Sequence, residues 1–87
     1  MFHILVADDD KHTRMLLRAV LEGENYTVST AENGEQALEL LDREHIDLVI
    51  LDIMMPGMDG YEFTRLVRQT DSTLPILMVT AKHLPAD

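Results

Sequence analysis

The sequence predicts an α/β fold, a parallel sheet with helices wound onto both of its faces. Three observations carry that reading. Apolar, β-branched runs at residues 4–7, 48–51 and 74–79 are strand-length and too uniformly apolar to face water on one side. Between the strands lie segments of about ten residues with helical spacing of apolar positions, and such alternation implies βαβ units with right-handed crossovers. Finally, the first and third strands both end abruptly on acid, Asp8-Asp9-Asp10 and Asp52, as chain ends meeting at one sheet edge would.

Taken in order, residues 2–7 form the first strand and residues 11–22 the first helix, with Asp10 as its N-cap. Met15, Leu16, Leu17, Ala19, Val20 and Leu21 make a wide apolar stripe, suited to covering a sheet. Gly23-Glu24-Asn25 ends the helix, and residues 26–31 alternate weakly, as a short edge strand does. Asn33 opens the second helix with Gln36 in capping-box spacing, and Ala37, Leu38 and Leu41 form its inner face. The third strand spans 47–51. Pro56, Gly57 and Gly60 mark the loop after it, and Asp59 with Glu62 caps a third helix running to Gln69, with Phe63, Leu66 and Val67 turned inward. Residues 70–74 are loop and 75–80 the fourth strand. Four such strands fit the flavodoxin-like order 2-1-3-4, whose switch point lies between strands 1 and 3.

Composition narrows the function classes. The chain has 87 residues, a size for one domain, and 46% apolar content, ordinary for a globular protein. Seven basic against 16 acidic residues leave a net charge of −9, which argues against direct nucleic-acid binding, so any DNA contact would belong to another domain. Without cysteine there is no disulfide or thiolate metal chemistry. No run approaches the roughly 20 apolar residues of a membrane span. The acids at 8–10 interrupt the first apolar run, so no signal peptide is read and a cytoplasmic location is expected.

By itself Asp52 reads equally as a functional carboxylate or as a solvated strand end. The second acid group changes that balance. If strands 1 and 3 are parallel neighbours, Asp8, Asp9 and Asp52 converge, and their repulsion is unfavourable without a cation. Carboxylates with backbone carbonyls and water suit Mg²⁺. By contrast His3, His12, His45 and His83 are scattered without ligand spacing, and the four glycines form neither a P-loop nor a dinucleotide fingerprint.

The order of an Asp-Asp pair, then Asp52-Ile53-Met54-Met55-Pro56-Gly57-Met58-Asp59-Gly60, then Thr80-Ala81 resembles the receiver domain of two-component response regulators across essentially the whole chain. The resemblance implies that Asp52 accepts a phosphoryl group from a histidine of a partner sensor kinase. It implies Mg²⁺ held by Asp9 directly, by Asp8 directly or through water, by Asp52, and by the backbone carbonyl of Met54. Thr80 would bond the phosphoryl oxygen and act as a switch, and Met54 and Lys82 would flank the phosphate. Asp10 stays a helix cap.

Against the family pattern, the fifth βα unit, with its lysine and aromatic, is missing, so the chain reads as a receiver truncated after the fourth strand at residues 1–87. Slow phosphorylation is then expected. Alternatives are a receiver-like fragment acting only through protein contacts, and a Mg²⁺-dependent phosphatase with an aspartate nucleophile. The fourth strand, with Ile76 and Met78 on one face and Leu77 and Val79 on the other, should be buried on both sides, yet the first helix alone serves one face. A homo-oligomer or strand-swapped dimer is therefore expected.

Overall fold

The structure, a computed structural model, describes residues 1–79. Strands β1 (His3–Ala7), β2 (Thr27–Ala31), β3 (Leu48–Asp52) and β4 (Ile76–Val79) alternate with helices α1 (Lys11–Gly23), α2 (Gly34–Arg43) and α3 (Gly60–Thr70). All pairings are parallel and the order is β2-β1-β3-β4, the expected flavodoxin-like sheet. β1 and β3 are direct neighbours, in a register that ends with Ala7 beside Leu51. One step further along both strands stand Asp8 and Asp52.

Each helix starts where its cap stands. The side chains of Asp10, Asn33 and Asp59 accept from the backbone N–H groups of Thr13, Gln36 and Glu62, so each satisfies a donor that the first turn leaves open. Gln36 completes a box of its own by accepting from the Glu32 amide at 2.9 Å. α1 ends within Gly23-Glu24-Asn25, as expected, and the left-handed residue there is Asn25, at φ 71°. With the Asn25 amide on the Glu22 carbonyl at 3.0 Å and the Tyr26 amide on that of Leu21 at 3.1 Å, the helix closes in a Schellman motif. That turn delays β2 by one residue from the predicted start.

The core is two-sided. On the α2–α3 face Leu5, Val49, Leu51 and Phe63 are fully buried, packed with Ala37, Met55, Val67 and Leu74. On the α1 face Ile4, Val6 and Val28 pack against Leu17 and Leu21. The α1 stripe is thus wider than the surface it covers. Met15, Leu16 and Val20 are exposed, and no α1 residue is buried. β4 is covered on one face only, as the shortage of helices on the α1 side implies: Ile76 and Met78 pack on the α2–α3 core, whereas Leu77 is 54% exposed. One helix spans only part of a four-stranded face, so a groove of about 420 Å³ runs between Leu16 and Leu17 on one side and Leu77 and Val79 on the other.

Candidate functional site

β1 delivers the first pair of acids. The Asp8 amide donates to the Ala31 carbonyl of β2 at 3.1 Å, extending the β1–β2 ladder by one residue. The chain then turns sharply. Asp8 Oδ1 accepts the Asp10 amide at 2.9 Å, and Asp10 Oδ2 accepts both the Thr13 amide at 3.3 Å and the Thr13 hydroxyl at 2.6 Å. That hydroxyl bond holds the Asp10 carboxyl below its ordinary value of 3.8. Asp10 is therefore the expected helix cap. Asp8 is buried and Asp9, at the vertex of the turn, is exposed.

β3 delivers the third acid. Asp52 is its last residue and only 2% exposed, placing a carboxylate at the strand end where sequence alone allowed a solvated one. Asp52 Oδ1 accepts the Met54 amide at 3.1 Å, which folds the following loop back over the carboxylate. The loop is held at both ends. The Ile53 amide donates to the Val79 carbonyl at 3.1 Å, and the Gly60 amide to the Ile53 carbonyl at 2.9 Å. Gly60 has to be glycine here, since a Cβ would lie 2.9 Å from the Ile53 Cα. Gly57, at φ 81°, supplies the left-handed turn in between.

These elements bring one carboxylate oxygen from each of Asp8, Asp9 and Asp52 within 4.8 Å of one another. The all-oxygen donor set, two of its three members buried, fits a hard divalent cation better than a soft one. The cluster stands at the carboxyl end of the sheet, at the head of the apolar groove that Asp8 and Asp52 help to line. Met54, whose backbone carbonyl was a candidate ligand, has an exposed side chain beside the cluster. Thr80, Ala81 and Lys82 lie outside the described residues.

Arg14 was missed in the sequence. Its Nη1 donates to the Asp8 carbonyl at 2.8 Å and its Nη2 pairs with Glu32 Oε2 at 3.7 Å. A weak signal for it existed, because a cation just inside a helix N-terminus opposes the helix dipole and gains from a partner there.

The comparisons agree with this geometry. Residues 4–87 match the response regulator receiver domain family. The chain is 49% identical over 79 residues to the transcriptional regulatory protein ResD of Bacillus subtilis, covering 91% of this chain and 32% of that protein. It is 46% identical over 87 residues to the transcriptional regulatory protein CpxR of Escherichia coli, covering 100% of this chain and 37% of that one. The chain thus spans about a third of the length of these relatives. Among solved structures, the response regulator TrrA of Thermotoga maritima, in complex with Mg²⁺-BeF, superposes with a TM-score of 0.89 at 44% identity, over 93% of this chain and 70% of that one. A parallel 2-1-3-4 sheet, a carboxylate trio at its switch point and a family match over nearly the whole sequence together make this chain a member of the response regulator receiver domain family.

Proposed function

We propose that this domain is a phospho-acceptor in two-component signalling, taking a phosphoryl group from a partner sensor histidine kinase onto Asp52. The observation that carries the reading is the placement of a buried Asp52 carboxylate within 4.8 Å of the oxygens of Asp8 and Asp9, at the carboxyl edge of the sheet.

In the transfer, an Asp52 carboxylate oxygen forms a bond to phosphorus while the bond from phosphorus to the kinase imidazole nitrogen breaks, its electron pair returning to the ring. Carboxylate attack needs little more than position and charge neutralisation. Position comes from β3 and from the Met54 amide, which orients the carboxylate through Oδ1. The oxygens of Asp8, Asp9 and Asp52, with the Met54 backbone carbonyl, would hold Mg²⁺. Asp9 would bind it directly and Asp8 directly or through water. A cation held there would supply neutralisation of charge on the phosphoryl oxygens. Thr80 then bonds the transferred phosphoryl group and sets the switch. The complex of TrrA with Mg²⁺-BeF supports a site of this chemistry on the fold.

The test is intact-mass analysis after incubation with acetyl phosphate and Mg²⁺. One phosphoryl group is expected on the wild type and none on Asp52→Asn, with peptide mapping to Asp52. Equal labelling of the two proteins refutes the assignment.

A further inference from the structure

We propose that Arg14 is a positioning residue for the acid cluster: its guanidinium fixes the peptide between Asp8 and Asp9 and so sets where the Asp9 carboxylate stands. The inference rests on the reading of that cluster as a divalent-cation site.

Asp9 is the exposed vertex of a tight turn, so the backbone on either side of it sets where its side chain begins. After the vertex, the Asp10 amide is tied to Asp8 Oδ1 and the Asp10 side chain to Thr13. Before it, the Asp8 amide is tied to β2 through the Ala31 carbonyl. Arg14 Nη1 holds the Asp8 carbonyl at 2.8 Å, the other end of the peptide whose nitrogen belongs to Asp9. Nη2 reaches Glu32 at 3.7 Å, in the connection between β2 and α2. One planar group thereby joins the end of β1, the first turns of α1 and the residue after β2. A lysine could supply one of these contacts but not both.

Burial and charge argue that the contact has a purpose. The Arg14 side chain is only 15% exposed, and it sits where the helix dipole disfavours a cation. Its positive charge also stands beside a site read as cation-binding, so on charge alone Arg14 weakens metal binding. The positioning of Asp8 and Asp9 favours metal binding, and the two effects on that binding have opposite signs.

That opposition supplies the test. Mg²⁺ is titrated into wild type, Arg14→Met, Arg14→Lys and Glu32→Gln while amide shifts near Asp9 are followed, and amide exchange of Asp9 and Asp10 is measured without metal. Arg14→Met should weaken Mg²⁺ binding by about tenfold, the scale of lost supporting contacts around metal ligands, and should speed exchange of the Asp9 amide. Arg14→Lys should fall between Arg14→Met and wild type. Tighter or unchanged Mg²⁺ binding in Arg14→Met, with unchanged Asp9 exchange, overturns the proposal. If Arg14→Met does not fold, the comparison passes to Arg14→Lys and Glu32→Gln: binding as tight as wild type in both overturns it. If the wild type itself binds no Mg²⁺, the cation-site reading fails, and metal-free exchange still decides whether Arg14 anchors the turn.

Discussion

Removing one charge from the acid cluster should make the metal-free domain more stable. Asp8→Asn is the cleanest change, because the amide oxygen can still accept the Asp10 N–H that Asp8 Oδ1 holds at 2.9 Å. At the outer limit of 4.8 Å, two unit charges repel by about 3.5 kcal/mol at an effective dielectric of about 20, and by about 0.9 kcal/mol in water. Asp8 and Asp52 are buried, at 5% and 2% exposure, so this pair lies nearer the first figure, whereas the exposed Asp9 lies nearer the second. Part of the gain is offset, since a charge-assisted hydrogen bond becomes a neutral one. A net stabilisation of about 1 kcal/mol is expected, equivalent to about 4–8 °C in melting temperature for a domain of this size. The assay is thermal or urea unfolding in EDTA and again with Mg²⁺. Mg²⁺ at ten times its Kd should stabilise the wild type by about 1.4 kcal/mol, and Asp8→Asn by less, so the gap seen in EDTA closes. Equal or lower stability of Asp8→Asn in EDTA refutes the reasoning.

Gly60→Ala places a methyl 2.9 Å from the Ile53 Cα and 3.3 Å from the Asp52 carbonyl, so α3 has to move away from β3. A loss of about 1–3 kcal/mol in urea unfolding is expected; a loss no larger than that of an exposed helix position would show that the helix start is not clamped there. Acid titration should reveal the turns. The carboxyls of Asp10, Asp47 and Asp71 are each held below 3.8, chiefly by bonds from the Thr13 hydroxyl, the His3 amide and the Thr73 amide. Because folding depresses these values, their stabilisation is present above pH about 4 and disappears as pH falls through the folded values. By circular dichroism, the stability of the wild type relative to Asp10→Asn should fall as pH falls over that range, and a relative stability that rises would contradict the sign. The exposed Leu16 and Leu77 lining the groove, with Val20 also exposed on α1, lead us to expect that the isolated 87-residue chain self-associates. A concentration-independent monomer by light scattering would refute this.

The strands, their order and the helix starts were legible because they depend on local chemistry. A run such as Leu48 to Leu51 is legible as a buried strand without knowing its neighbours, and Asp10, Asn33 and Asp59 cap because a short acceptor beside an open amide works in any context. The acid trio was legible for a different reason. Once strands 1 and 3 are parallel neighbours, the acids at their carboxyl ends must meet.

What the sequence alone determined is therefore the sheet, the caps and the identity of the converging acids. Only the tertiary structure decided how these are held. The periodicity of α1 marks six apolar residues as equivalent, but a single helix on this face contacts the sheet through Leu17 and Leu21 and leaves Met15, Leu16 and Val20 outside. Likewise Gly60 is a turn residue by sequence and a clamp against Ile53 by packing. Arg14 is a surface cation by sequence, and the structure ties it to the Asp8 carbonyl and to Glu32. The physical reason is common to all three: these roles depend on which segments distant in the chain approach one another, and that is set by sheet order and helix docking, not by any residue's own preference.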